Sequence, residues 1–189
     1  NIPHGSGLGG GSTNAAILLN FLCFKKMKEN KIYRLASKIG SDVPLCLSQK
    51  NSLITGKKFK IKRFSHNIRL NILVVFTKTT CSTKKIYSKN KKFSSIKSIP
   101  NKVLNNKKEL INYLKNENND LEKAVVTMYP KISNAIELVS TQKGCYFSRI
   151  TGSGSACVGL FSSLKNANLA KKNIKKKFPK YWCGVSKTI

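Results

Sequence analysis

The sequence predicts an α+β protein, and three observations carry that expectation. Helix-period and strand-period stretches both occur, and they mix without a strict strand–helix repeat. With 189 residues, 40% of them hydrophobic, the chain also has enough apolar material to bury a core. No apolar run approaches the roughly 18 residues that a membrane span needs. The longest apolar stretch near the start, Ala15 to Leu19, follows glycines rather than the positive charges of a signal peptide, so nothing points to export.

From Asn14 to Lys28, Ala15 and Ala16 lead into Ile17, Leu18, Phe21, Leu22 and Phe24, which predicts a broadly apolar, mostly buried helix starting where the glycines end. A second helix, about Lys31 to Ile39, sets Ile32, Leu35, Ala36 and Ile39 on one face and stops at Gly40. Leu45 to Leu47, the alternation around Leu53 and Ile54, a turn at Gly56, the alternation Phe59, Ile61, Arg63, and the apolar run Leu70 to Phe76 read as strands. Residues 84–118 are dominated by Lys, Asn and Ser, with weak periodicity around Val103, Leu110, Ile111 and Leu114; a solvated helix and loops are expected. Asn119 or Asp120 caps a helix through Met128, Pro130 opens another through Ser140, and Gly144 ends it. Cys145 to Ile150 reads as a strand, Asn166 to Lys177 as a helix, and Trp182 to Val185 as a last strand. Because the chain opens on Asn1 inside a turn-rich motif with no strand before it, it is expected to be the C-terminal portion of a longer protein.

The six cysteines lie at least twelve positions apart, so none forms half of a Cys-x-x-Cys site; they read as reduced core thiols of a cytosolic chain. Thirty-six basic residues against seven acidic give +29. That balance invites a nucleic-acid-binding reading. Only four of the basic residues are arginines, however, and the chain holds 19 asparagines, whereas base and phosphate readout favours the forked guanidinium. Uniform Lys/Asn enrichment looks like background bias, and nucleic acid is not the expected partner. The charge should still draw anionic substrates.

Residues 3–13, Pro3-His4-Gly5-Ser6-Gly7-Leu8-Gly9-Gly10-Gly11-Ser12-Thr13, hold five of the twelve glycines and feed straight into a helix. Glycines allow positive φ and close backbone approach, and a helix N-terminus adds unpaired N–H groups, so a polyphosphate is the natural ligand. A flexible Gly/Ser linker is the rival reading, but linkers are rarely flanked by Ile-Pro and a buried helix. The P-loop pattern fails because Gly11 stands where its lysine belongs. Gly5-x-Gly7-x-x-Gly10 matches the dinucleotide fingerprint, with Glu29 about twenty residues on, yet Glu29 sits in a Lys-rich helix tail rather than at a strand end.

In Gly40-Ser41-Asp42-Val43-Pro44, Asp42 is the one acid between Glu29 and Glu109. It reads either as a cap or as a base for a substrate hydroxyl. A second glycine cluster, Thr151-Gly152-Ser153-Gly154-Ser155, follows a strand, so two glycine-rich surfaces could converge on one ligand.

The order Ile-Pro-x-Gly-x-Gly-Leu-Gly-Gly-Gly-Ser-x-Asn-Ala-Ala, Gly-Ser-Asp-Val-Pro, then Thr-Gly-Ser-Gly-Ser resembles the GHMP small-molecule kinases across nearly the whole chain. Ser82-Thr83-x-x-Ile86-Tyr87 and Asn119-Asp120-Leu121-Glu122 look like that family's intervening segments. The resemblance implies a two-domain fold: residues 1–55 as the remainder of a ribosomal protein S5 domain 2-like ATP-binding domain, residues 56–189 as a ferredoxin-like second domain, and a last strand returning to the first. It implies ATP as co-substrate, with residues 3–13 as the phosphate loop, Asp42 as catalytic base and Thr151 to Ser155 completing the site. Mg²⁺ is expected, with no ligand named. By the same likeness Tyr87 packs on a cytosine ring with Thr83 nearby; from sequence alone a core-facing tyrosine is equally open. The Asp-Val-Pro and Ser-Thr-x-x-Ile-Tyr features favour the branch phosphorylating the 2-hydroxyl of a diphosphocytidyl methylerythritol over mevalonate, homoserine or sugar kinases. The family's first motif, with its lysine, is absent, so the helix over 14–28 is expected to lose its cover.

Overall fold

The computed structural model describes residues 2–3, 5–23, 26–55, 60–64, 68–91, 93–95 and 99–188. His4, Phe24, Gly56 and Phe59, to which the sequence reading gave roles, lie outside them. The chain divides into two units, residues 9–65 and residues 1–8 with 66–188.

The unit of residues 9–65 contains α1 (Gly10–Cys23), α2 (Glu29–Ile39), α3 (Val43–Cys46) and an antiparallel pair, β1 (Asn51–Thr55) and β2 (Lys60–Phe64). Its three helices meet through Ala16, Ala36 and Val43, all nearly solvent-free. Small side chains let helix backbones approach closely, so α1 buries its alanine side. The predicted burial of its large residues is therefore corrected: Ile17, Leu18, Phe21 and Leu22 are exposed, Phe21 to 79%. α1 also starts inside the glycines, at Gly10, because first-turn amides need no intrahelical partner. Leu45–Leu47 is not a strand. Pro44, at the start of α3, has the φ a first helical turn requires, and three residues are too few for alternation to be diagnostic.

Arg63 of β2 fastens this unit. Its guanidinium donates to the carbonyls of Pro44 and Leu45, both at 2.8 Å, and of Ser48 at 3.2 Å, and also to the hydroxyls of Ser52 and Tyr33. The orphan carbonyls at the end of α3 are thus satisfied by a cation, as the helix dipole favours.

The other unit is built on a four-stranded antiparallel sheet. Its elements are β3 (Asn71–Phe76), α4 (Thr83–Lys89), α5 (Asn101–Asn105), α6 (Lys107–Asn116), α7 (Glu122–Met128), α8 (Pro130–Ser140), β4 (Cys145–Ile150), β5 (Cys157–Phe161), α9 (Leu164–Lys177) and β6 (Trp182–Lys187). The strand order β4-β5-β3-β6, with helices in the β3–β4 and β5–β6 connections, is the ferredoxin-like arrangement. Whereas the resemblance sent the last strand to the first domain, β6 pairs with β3 from Asn71↔Lys187 to Phe76↔Trp182.

Strand alternation divides the core. Leu73, Val75, Cys157 and Phe161 pack with α8 and α9 residues such as Val139 and Ile174, while Leu70 and Leu160 meet Val103, Leu110 and Ile111 of α5 and α6. Each fully buried Leu, Ile or Phe contributes about 1.5–3 kcal/mol. In the stretch 84–118, expected as a solvated helix and loops, Val103, Leu110 and Ile111 are buried against one sheet face while the described lysines are exposed. All six cysteines are free, and burial pushes the Cys157 thiol up to about 12 and the Cys145 thiol to about 11.

Candidate functional site

The first glycine segment presents a row of bare donors. Among the described residues the amides of Gly7, Leu8, Gly9, Gly10, Gly11 and Ser12 meet no acceptor; the first satisfied one is that of Thr13, donating to the Gly9 carbonyl at 2.9 Å. Gly9 has φ +70°, and a Cβ there, or at Gly11, would meet nothing within 4 Å. Protein packing therefore leaves the space over these two glycines open. No acid stands in the first turn of α1, so nothing on the helix competes with an anion for its positive end.

Within the sheet unit, the start of this segment meets the second glycine cluster backbone to backbone. Ser6 is buried, donates its hydroxyl to the Pro3 carbonyl at 2.7 Å, and accepts the Ala156 amide at 2.9 Å on its own carbonyl. A Cβ on Gly7 would lie 2.2 Å from the Gly154 carbonyl oxygen. Thr151 to Ser155 form a tight turn in which the Thr151 amide donates to Ala156 at 3.0 Å and the Gly154 amide to Thr151 at 2.9 Å.

That turn is gripped from outside. Asn119 donates to the carbonyls of Gly152 at 2.8 Å and Ile150 at 3.3 Å, and the Glu122 carboxylate accepts the Ile150 amide at 2.7 Å. The predicted cap at 119–120 is thus only partly a cap. Asn119 Oδ1 takes the Leu121 amide at 3.0 Å, whereas Asp120 accepts the amide and hydroxyl of Ser94 at 2.7 and 2.5 Å. Cys81 lies beside Gly154, and burial raises its thiol pKa.

Thr83 opens α4 and its hydroxyl pairs with that of Ser153 at 2.9 Å, tying the helix to the second glycine cluster. One turn on, Tyr87 is 53% exposed, while its neighbour Ile86 fills the core. The core-facing alternative for Tyr87 therefore does not hold. Phe93 stacks on it, ring centroids 6.3 Å apart and planes inclined at 29°. The sequence reading passed over Phe93, although an aromatic residue in a Lys/Asn/Ser stretch is itself a signal.

Asp42 belongs to the other unit, as do Gly9 to Thr13. It immediately precedes α3, but its side chain makes no capping bond; its carboxylate accepts from the Ser41 hydroxyl at 3.3 Å and is exposed. With Tyr33, Ser37, Pro44 and Leu45 it lines a cavity of about 440 Å³. A cap would have spent this carboxylate on α3, and it is not spent. Among the described residues no three His, Cys, Asp or Glu side chains are grouped to hold a metal, and no helix is long and apolar enough to cross a membrane.

Residues 1–50 match the family pattern described as the GHMP kinases N terminal domain, and residues 96–180 that described as GHMP kinases C terminal. A 4-diphosphocytidyl-2-C-methyl-D-erythritol kinase of Pelagibacter ubique is 39% identical over 192 residues, covering 100% of this chain and 67% of its own. The chain belongs to the GHMP kinases. A kinase of the same name from Wolbachia pipientis is 34% identical over 96% of this chain and 64% of its own. The crystal structure of 4-(cytidine 5'-diphospho)-2C-methyl-D-erythritol kinase superposes with a TM-score of 0.73 at 23% identity, covering 98% of this chain and 68% of that one. The α+β GHMP kinase fold is therefore this chain's fold. The chain spans about two thirds of the length of these GHMP kinase relatives.

Proposed function

We propose that the chain serves an ATP-dependent kinase that phosphorylates the 2-hydroxyl of 4-diphosphocytidyl-2-C-methyl-D-erythritol, in the cytosol, on the non-mevalonate route to isoprenoids. The observation that carries the ATP half of this reading is the row of six unpartnered amides, Gly7 to Ser12, at a helix N-terminus, with open space beside Gly9 and Gly11. Such a row suits the β- and γ-phosphates, whose transfer depends on positioning and charge neutralisation more than on covalent chemistry. The names of the relatives and the exposed Tyr87 supply the cytidyl half.

In this reading Pro3 to Thr13, including His4, bind ATP, and Thr151 to Ser155 complete the site. Thr83 and Tyr87 hold the acceptor's cytosine. Asp42 orients the acceptor hydroxyl and takes its proton as the oxygen attacks the γ-phosphorus and ADP leaves. Mg²⁺ is the usual companion of such phosphates. The described residues offer no carboxylate cluster for it, so no step is routed through a metal.

The test uses the chain completed to the length of its relatives. ATP and the cytidyl alcohol should give ADP and the 2-phosphate. Asp42→Asn should lower kcat by about 10²–10⁴-fold while leaving nucleotide affinity within about twofold. Full kcat in that variant would remove Asp42 from the mechanism.

A further inference from the structure

We propose that Asn119 is a positioning residue that aims the Ser153 amide as a donor to a phosphate group; the inference rests on the kinase reading above. The carbonyl and N–H of a trans peptide point in opposite directions. Asn119 draws the Gly152 carbonyl toward itself at 2.8 Å, so the N–H of the same peptide plane, that of Ser153, is turned the other way. Among the described residues this amide meets no acceptor, whereas those of Thr151, Gly154 and Ala156 are all taken.

The Ser153 hydroxyl already pairs with that of Thr83, either of the two donating, and the amide is that residue's unpartnered backbone donor. Ser153 is only partly buried, so an anion can reach it. The second bond from Asn119, to the Ile150 carbonyl, and the Glu122 bond to the Ile150 amide fix the strand end from which the turn departs. Without this grip the Gly152–Ser153 plane is free to rotate, since glycine imposes little backbone restraint. The phosphate belongs either to ATP or to the diphosphate of the acceptor, and the two are separable by experiment.

A purely structural role is the competing account, because Asn119 Oδ1 also accepts the Leu121 amide. Asn119→Asp and Asn119→Ser separate the two roles: each keeps a local acceptor for that amide but lacks the Nδ2 group that bonds both carbonyls, the serine hydroxyl being one donor on a shorter side chain that adds no charge. In the chain itself, exchange of the Thr151 and Gly154 amides should accelerate about tenfold or more in both variants, with the β3 amides unchanged. Titration of the parent chain with ATP or with CDP should shift the Ser153 amide resonance. Response to ATP assigns the nucleotide's phosphate and response to CDP the acceptor's diphosphate. Affinity for the responding ligand should fall about tenfold in Asn119→Ser. Parent-like exchange in both variants would overturn the grip. A Ser153 amide that stays still while those of Gly9 to Ser12 move, or unchanged affinity in Asn119→Ser, would overturn the donor role. A parent chain that binds neither ligand overturns the donor role in this chain and leaves the kinase reading to the assay on the completed chain, while the exchange rates still decide the grip.

Discussion

Gly7 and Gly9 share a left-handed backbone, with φ +75° and +70°, but differ in what surrounds them. A methyl on Gly7 would collide with the Gly154 carbonyl, so Gly7→Ala should cost about 2–5 kcal/mol and lower Tm by several degrees. A methyl on Gly9 meets nothing; Gly9→Ala should cost about 1–2 kcal/mol yet weaken ATP binding at least tenfold, because the methyl fills the phosphate's space. Calorimetry with and without ATP reads both, and equal loss of stability in the two variants would contradict the distinction. Asp120 adds a pH dependence. The hydroxyl and then the amide of Ser94 hold its carboxyl below the usual carboxylate value. A depressed folded pKa stabilises above the unfolded pKa and is lost as pH falls through the folded one. The Ser94 amide resonance should therefore titrate only below about pH 4, and a transition above that would contradict the contact. The glycine-rich spacing made positive φ at these two positions legible. The division of labour between them was not, because it depends on a loop more than 140 positions away.

Among the elements, α3 depends most on a single side chain. Arg63→Ala strips the Pro44, Leu45 and Ser48 carbonyls of their donor and should destabilise the 9–65 unit by about 3 kcal/mol. Arg63→Lys should not restore it, since an ammonium lacks the planar fork. Amide exchange in α2 and α3 measures this, and parent-like protection in the lysine variant would contradict the account. On α1, Phe21→Ser should change stability by no more than about 0.5 kcal/mol and reduce self-association in light scattering, because Phe21 is 79% exposed. The sequence made α8, β4, α9 and β6 readable, each having a Pro, Gly or Ser boundary and a clear period. It hid β5, because Cys157–Phe161 follows the glycine cluster without a break and Gly159 interrupts its apolar run. It misread α3, because a four-residue helix has no period to detect.

At the scale of the molecule, +29 raises the question of whether anions bind by general attraction or at one built place. The family and its α+β fold were legible from three ordered motifs. The thin packing of the 9–65 unit was not, since burial depends on neighbours and a helix rich in Ile, Leu and Phe reads as core wherever it sits. The central claim is that ATP phosphates bind to bare backbone donors. Amide chemical-shift mapping on ATP addition, at moderate salt, tests it most directly. The account expects the largest shifts at Gly7 to Ser12, saturating with one nucleotide per chain. Shifts confined to lysine-rich surfaces such as Lys107–Asn116, without saturation and fading as salt rises, would contradict it.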